Sequence, residues 1–194
     1  MARASERASE LVAEAAGAVG RIDPAGAAEI ARLAKALIGA LEAGGKVLVC
    51  GNGGSAADAQ HIAGELAGRF RRDRRPLACL ALTTDSSVLT AIGNDYGFEQ
   101  VFSRQVQALG RKGDVLWALS TSGRSPNVVA AAKAAKTAGM KVLAMTGSVG
   151  GELAALAEAC FRAPADRTDL VQLLHGLAYH VICELIDERF ADNP

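Results

Sequence analysis

His61 and Glu65 stand four residues apart in a stretch, residues 54–69, that reads as a helix. That spacing puts both on one face, about 5–6 Å apart at Cβ, a good bite for one divalent ion. The chain holds three histidines, and one of them falls in register with a carboxylate just after a glycine-rich loop. A surface His–Glu pair satisfies the same spacing, and spacing alone favours that plainer reading. The other two, His175 and His180, share a C-terminal helical stretch with Gln172. Gln172 and His175 lie on one face at i, i+3. Gln172 and His180 are eight apart, about 12 Å along the axis and about 80° around it, so one ion held by both needs an additional helix. Packing against His61 and Glu65, in the same or a neighbouring subunit, would supply it. Otherwise each is a polar residue satisfied within a helix interface.

A second chemistry is offered by Ser120-Thr-Ser-Gly-Arg-Ser125, followed by Pro126. Four hydroxyls in six positions are neutral donors, and Gly123 lets backbone approach a ligand closely. Ser125 is placed to cap a helix whose N-terminal amides favour an anion, which points to a phosphate. An ordinary turn rich in capping residues is the alternative. Gly51-Asn-Gly-Gly-Ser55 lacks both the G-x-G-x-x-G spacing of a dinucleotide loop and the Walker lysine. It fits a loop wrapping a polyol, or equally a tight strand-to-helix turn. A third polar loop, Gly93-Asn94-Asp95, can reach sugar hydroxyls, though Gly-Asn-Asp is also common turn chemistry. Arg69, Arg71, Arg72, Arg74 and Arg75 form a local basic patch, read as a solvated helix end and loop ahead of a phosphate or polymer contact.

These loops need elements to hold them. Residues 3–19 and 25–43 read as helices, the second with Asp23 as N-cap and Pro24 in its first turn. Short apolar runs bounded by turn residues predict strands at 46–50, 77–81, 114–119 and 141–145, and a weaker one at 159–162. Helices are predicted over 54–69, 126–138 and 166–190. Strands alternating with helices imply parallel pairing and a three-layer α/β sandwich. Both glycine-serine loops fall at carboxyl ends of strands, where such sheets bind ligands.

The 194 residues suit one domain with an appended element. Half are hydrophobic and 22% charged, and Lys+Arg equals Asp+Glu at 21 each, so nothing global points to nucleic acid. Cys50, Cys79, Cys160 and Cys183 form no C-x-x-C pair and suit a reducing compartment. The N-terminal stretch carries Arg3, Glu6, Arg7, Glu10 and Glu14, unlike a signal peptide. No run approaches the roughly 18 apolar residues of a membrane span. The expectation is a cytoplasmic protein without membrane or nucleic-acid partners.

Taken in order, Gly51-Asn-Gly-Gly-Ser55 with Asp58, His61 and Glu65, then Gly93-Asn-Asp-Tyr-Gly-Phe98, then Ser120 to Ser125, then Gln172 and His180 resemble the motif set of the bacterial phosphoheptose isomerases. These are members of the sugar-isomerase (SIS) family, and the resemblance runs from about residue 26 to 190. It implies a flavodoxin-like five-stranded parallel sheet. It implies one SIS domain over 1–194, with 1–43 as a helical extension used in oligomerisation. A homotetramer with sites at subunit interfaces follows from the same resemblance. So does conversion of D-sedoheptulose 7-phosphate to D-glycero-D-manno-heptose 7-phosphate, feeding lipopolysaccharide or other surface glycans.

Carried over position by position, the resemblance places one Zn2+ per subunit on His61, Glu65, Gln172 and His180. Ser120, Thr121, Ser122 and Ser125 would hold the phosphate. Asn52, Gly53, Gly54, Ser55, Asn94 and Asp95 would line the sugar, with Glu65 and Gln172 also touching substrate. Glu65 as base and His180 as its counterpart would move the carbonyl from C2 to C1 through an enediol, with Asp169 orienting or relaying a proton. A metal ligand cannot freely act as a base, so those roles alternate or are divided. One departure is Leu173, where the resemblance leads one to expect an acidic residue. Related SIS adaptors, which bind the bacterial replication initiator without catalysis, lack the glutamate and terminal histidine present here as Glu65 and His180.

Overall fold

The computed structural model describes residues 2–191. Two helices, α1 (Ala2–Val19) and α2 (Pro24–Glu42), precede the alternating part. Asp23 accepts a hydrogen bond from the Gly26 N–H and Pro24 sits in the first turn, so α2 begins where its capping residues predict. Then follow β1 (Val47–Cys50), α3 (Gly54–Ala67), β2 (Cys79–Ala81), α4 (Ser86–Tyr96), α5 (Ser103–Leu109), β3 (Val115–Ser120), α6 (Pro126–Thr137), β4 (Lys141–Thr146), α7 (Gly151–Leu156), β5 (Ala159–Arg162) and α8 (Thr168–Ala191). A 3-10 turn, Phe98–Gln100, links α4 to α5.

The five strands lie in the order β2-β1-β3-β4-β5, every neighbouring pair parallel. This is the flavodoxin-like order, and it reverses between β1 and β3, the two strands that run into the glycine-serine loops. Alternation along the strands splits the core. Val47, Val49, Val115, Trp117, Leu119, Leu143 and Met145 pack toward α2, α3 and α8. Leu48, Cys50, Leu116, Ala118, Val142 and Ala144 pack toward α5, α6 and α7. Because both faces are covered, the strands read as continuous apolar runs rather than an alternating pattern.

Three differences from the sequence reading have physical reasons. The strand expected over 77–81 shortens to Cys79–Ala81, the edge of the sheet, where one partner strand sustains it. Asn94 and Asp95 lie in the last turn of α4 rather than in a loop; the turn comes at Gly97, with φ 87°. Helices α5 and α7 span 7 and 6 residues, too short for a period to show. Helix α8 is long and apolar enough to pass for a membrane span, but half of that stretch is buried in the domain.

Candidate active site

Helices α3 and α8 lie side by side and run the same way. At the start of the pair, Gly54 meets Gln172: a Cβ on Gly54 would stand 2.4 Å from the Gln172 Nε2, so a larger residue there would push the amide aside. Two turns on, His61 meets Tyr179 and His180. His61 Nε2 lies 2.9 Å from Glu65 Oε1, and the His61 and His180 ring centroids are 5.0 Å apart. The ligand atoms of His61, Glu65 and His180 all fall within 4.8 Å of one another. The Tyr179 hydroxyl is 3.2 Å from His61 Nδ1, which orients the ring and leaves Nε2 toward the cluster. Burial, reinforced by the negative charge of Asp58, pushes the Tyr179 phenol up to about 12, so it stays a neutral hydroxyl.

Donors on a tetrahedral zinc, about 2.0–2.1 Å from the ion, stand roughly 3.3 Å from each other. The donor atoms here, within 4.8 Å of one another, stand near that spacing, and two imidazoles with one carboxylate are donors zinc favours. A cavity of about 740 Å³ opens beside it, lined in part by Asp58, Phe70, Gln172, Tyr179 and His180. Asp58 Oδ2 is buried there with no partner among the described residues. Burial raises its carboxyl above the usual range, against the pull of His61.

A second candidate feature is the loop after β3, where Thr121, Ser122 and Arg124 line a different cavity, of about 280 Å³. Ser120 Oγ lies 2.9 Å from Ser125 Oγ and 3.5 Å from Ser122 Oγ, and Ser122 Oγ accepts from the Arg124 N–H at 3.1 Å. Gly123 has φ 64°, and a Cβ there would strike the Gly150 carbonyl oxygen at 1.9 Å, so the loop is pinned to the one after β4. Ser125 occupies the N-cap position of α6, but its side chain caps nothing; it turns inward to Ser120 instead. The two loops are joined by a reciprocal amide pair: Asn52 donates to Asn127 at 2.8 Å and Asn127 to Asn52 at 2.9 Å.

The SIS domain family profile matches residues 10–147. Phosphoheptose isomerase 1 of Campylobacter jejuni is 53% identical over 162 residues, 84% of this chain and 87% of that one. The phosphoheptose isomerase of Nitratidesulfovibrio vulgaris is 57% identical over 153 residues, 79% and 74% of the two chains. The solved structure of phosphoheptose isomerase from Neisseria gonorrhoeae matches with a TM-score of 0.90 at 46% identity, covering 95% of this chain and 98% of that one. The chain belongs to the SIS domain family, with the phosphoheptose isomerases. By that kinship this SIS-domain chain is an isomerase.

Of the residues singled out in the sequence, this SIS domain brings His61, Glu65 and His180 together and sets Ser120, Ser122 and Ser125 in mutual contact. It seats Gln172 against Gly54, seven residues and about 10 Å along α3 from His61. Asn94 and Asp95 are exposed, hydrogen-bonded to each other at 2.8 Å, and off the cavity wall. Asp169 is gripped by Arg167 through bonds of 2.6 and 2.8 Å; that pairing holds its carboxyl below the usual range. His175 turns away into the core, where its Nε2 meets the Thr146 carbonyl oxygen at 3.1 Å. Of the basic patch, Arg69, Arg71, Arg72 and Arg75 are exposed, as a solvated helix end and loop would have them; Arg71 and Arg72 pair with Glu184 and Glu188 at the surface, and Arg74 alone is buried. Phe70, Asn127 and Tyr179 went unread, since an aromatic or an amide at helical spacing carries no signal of its own. Asp58 enters the sequence reading only through the motif, with no role attached to its carboxylate.

Proposed function

We propose that this SIS-domain isomerase converts D-sedoheptulose 7-phosphate to D-glycero-D-manno-heptose 7-phosphate, supplying heptose for surface glycans. The observation that carries this reading is the His61, Glu65 and His180 cluster, with His61 and Glu65 on the helix that leaves the first glycine-serine loop and His180 on α8; the hydroxyl-lined loop ends the strand paired with β1. The named relatives support the substrate class. Glu65 and His180 facing one another count against a non-catalytic adaptor.

The hydroxyls of Ser120, Thr121, Ser122 and Ser125, with the N-terminal end of α6, bind the phosphate as neutral donors, which lets product leave. Gly53, Gly54 and Ser55 line the sugar together with the Asn52 backbone, since the Asn52 amide is held by Asn127. A zinc ion on His61, Glu65 and His180, when bound, polarises the substrate carbonyl and steadies the charge that develops on it. Glu65 takes a proton from C1 and returns it to C2, while His180 serves the oxygen atoms as the hydroxyl proton passes from O1 to O2. The two transfers meet at an enediol, and no atom is gained or lost. Glu65 Oε1 faces His61, leaving Oε2 for the carbon-bound proton. That divides the ligand and base roles within one carboxylate.

Gln172 rests on Gly54 in its own chain, so it completes a fourth ligand position, as Asn94 and Asp95 complete the sugar contacts, across an interface between copies. A homotetramer supplies such interfaces. Exposed apolar residues on α1 (Leu11, Val12) and on α8 (Leu173, Val181) offer faces for it, and residues 1–43 act as the assembling extension of a single domain. The four cysteines are all free, in keeping with a reducing cytoplasm. Elemental analysis beside turnover of sedoheptulose 7-phosphate, before and after chelation, tests the reading. One zinc per chain and activity lost and restored with it are expected. Full activity in metal-free protein would refute the metal's part, and zinc-loaded protein inert toward this sugar would refute the substrate.

A further inference from the structure

His61 is held by Glu65 and Tyr179, whereas the His180 side chain has no hydrogen-bond partner among the described residues, and the terminal torsion of an imidazole has broad wells. Three rings surround it: His61, Tyr179 at 4.5 Å, and Phe70, whose ring lies 5.6 Å away and within 21° of parallel. A ring stacked on one face restrains the imidazole's rotation while leaving its nitrogen-bearing edge free to meet His61 and Glu65.

Phe70 stands on the segment between α3 and β2, and that segment is fastened from below. Asp187 of α8, 0% exposed, accepts from the Arg71 N–H at 2.7 Å and the Arg72 N–H at 3.0 Å. Its other oxygen takes Arg74 Nε at 2.9 Å. The same guanidinium donates to the carbonyls of Glu65 at 2.7 Å and Leu66 at 2.9 Å, satisfying the open C-terminal end of α3. One buried ion pair therefore fixes the backbone of Glu65, the segment that carries Phe70, and α8 seven residues beyond His180. Desolvation makes such a pair a poor source of stability compared with apolar packing. Its value here lies in geometry.

We propose that Phe70 is a positioning residue that orients His180 for metal binding and proton transfer, with Asp187 and Arg74 holding Phe70 in place. This rests on the metal-dependent reading above. The test measures zinc affinity by competition with a chromophoric chelator, together with kcat, KM and the thermal midpoint. Phe70→Leu keeps apolar bulk and removes the ring face; we expect roughly tenfold weaker zinc binding and a comparable fall in kcat. KM should stay within about twofold and the midpoint should barely move. Phe70→Tyr should restore both losses, and Asp187→Asn, which leaves Phe70 intact, should weaken zinc in the same direction. Parent-like zinc binding in both Phe70→Leu and Asp187→Asn overturns the proposal, as does a loss that merely tracks the thermal midpoint and is not restored by Phe70→Tyr. A parent protein that binds no zinc instead refutes the metal reading on which the proposal stands.

Discussion

Replacing His175 by glutamine should flatten the pH dependence of stability below neutrality. The imidazole is 0% exposed, its Nε2–H donates to the Thr146 carbonyl, and Nδ1 has no partner among the described residues. Burial, only partly opposed by that hydrogen bond, lowers its pKa from 6.5 to about 4. The folded value lies below the unfolded one, so the unfolded chain binds more protons between those limits. The stability is fully present above about pH 6.5 and drains away as pH falls toward about 4. Integrating between pH 7 and 5.5 gives a loss of about 1 kcal/mol, rising to about 2.5 kcal/mol by pH 4.5. That is a large share of the roughly 5–15 kcal/mol that holds a domain together. Urea unfolding at pH 7, 5.5 and 4.5, at one protein concentration, measures it for the parent and for His175→Gln, whose side-chain amide can still donate to Thr146. Carboxylates such as Asp187, where burial is outweighed by the Arg72 and Arg71 N–H groups and Arg74, are common to both proteins and cancel. Parallel losses in the two would refute the reasoning that His175 is held neutral in the core.

Three further outcomes are expected. Glu65→Gln abolishes turnover, by a hundredfold or more on the general scale of about 10²–10⁴ for acid–base groups, while calorimetry still registers substrate binding; retained turnover removes Glu65 as base. Ser120→Ala combined with Ser122→Ala raises KM about tenfold or more, from two lost hydrogen bonds of about 1 kcal/mol each, and an unchanged KM takes them out of the phosphate site. Co-refolding the inactive Glu65→Gln protein with the Ser120→Ala, Ser122→Ala protein is expected to yield a fraction of sites with the parent KM, because one site draws its cluster and its phosphate loop from different chains on the proposed reading. A mixture that shows only the raised KM of the serine variant assigns both to one chain.

Much of the sheet was legible because its strands are short apolar runs punctuated by glycine, as in Lys46 to Cys50 before Gly51, and because helices of ordinary length separate them. The loops were legible for a related reason: Gly51 to Ser55 and Ser120 to Ser125 bring backbone amides, glycines and hydroxyls to strand ends whatever the tertiary packing does. The histidines show where that reasoning stops. His175 and His180 stand on one helix five residues apart, yet one is sealed behind Thr146 and the other meets His61 and Glu65. Local sequence marks both as polar residues on an apolar helix. The choice between them depends on which side of α8 faces α3, a fact of packing. The arginines repeat the lesson, since Arg74 looks like its neighbours in sequence but is buried on Asp187, 113 residues away.

Gly54 and Gln172 carry the argument about assembly one step further. Their contact marks the alignment of α3 and α8, which the apolar packing of Ala59, Ile62 and Leu66 with Leu174, Ala178 and Ile182 holds, and in that alignment His61 stands opposite His180 two turns later. It also commits the Gln172 amide to a place about 10 Å from the cluster. A single chain thus presents three candidate metal donors on one stretch of the helix pair and Gln172 displaced on another. Moving Gln172 onto its own cluster would require α8 to slide by two turns past α3, tearing Asp187 from Arg74 and emptying the core behind His175. A second chain placing its own helix against this pair has no such obstacle. On the reading proposed above, in which Gln172 is a ligand, the packing that makes three candidate donors meet within one chain would send the fourth to another.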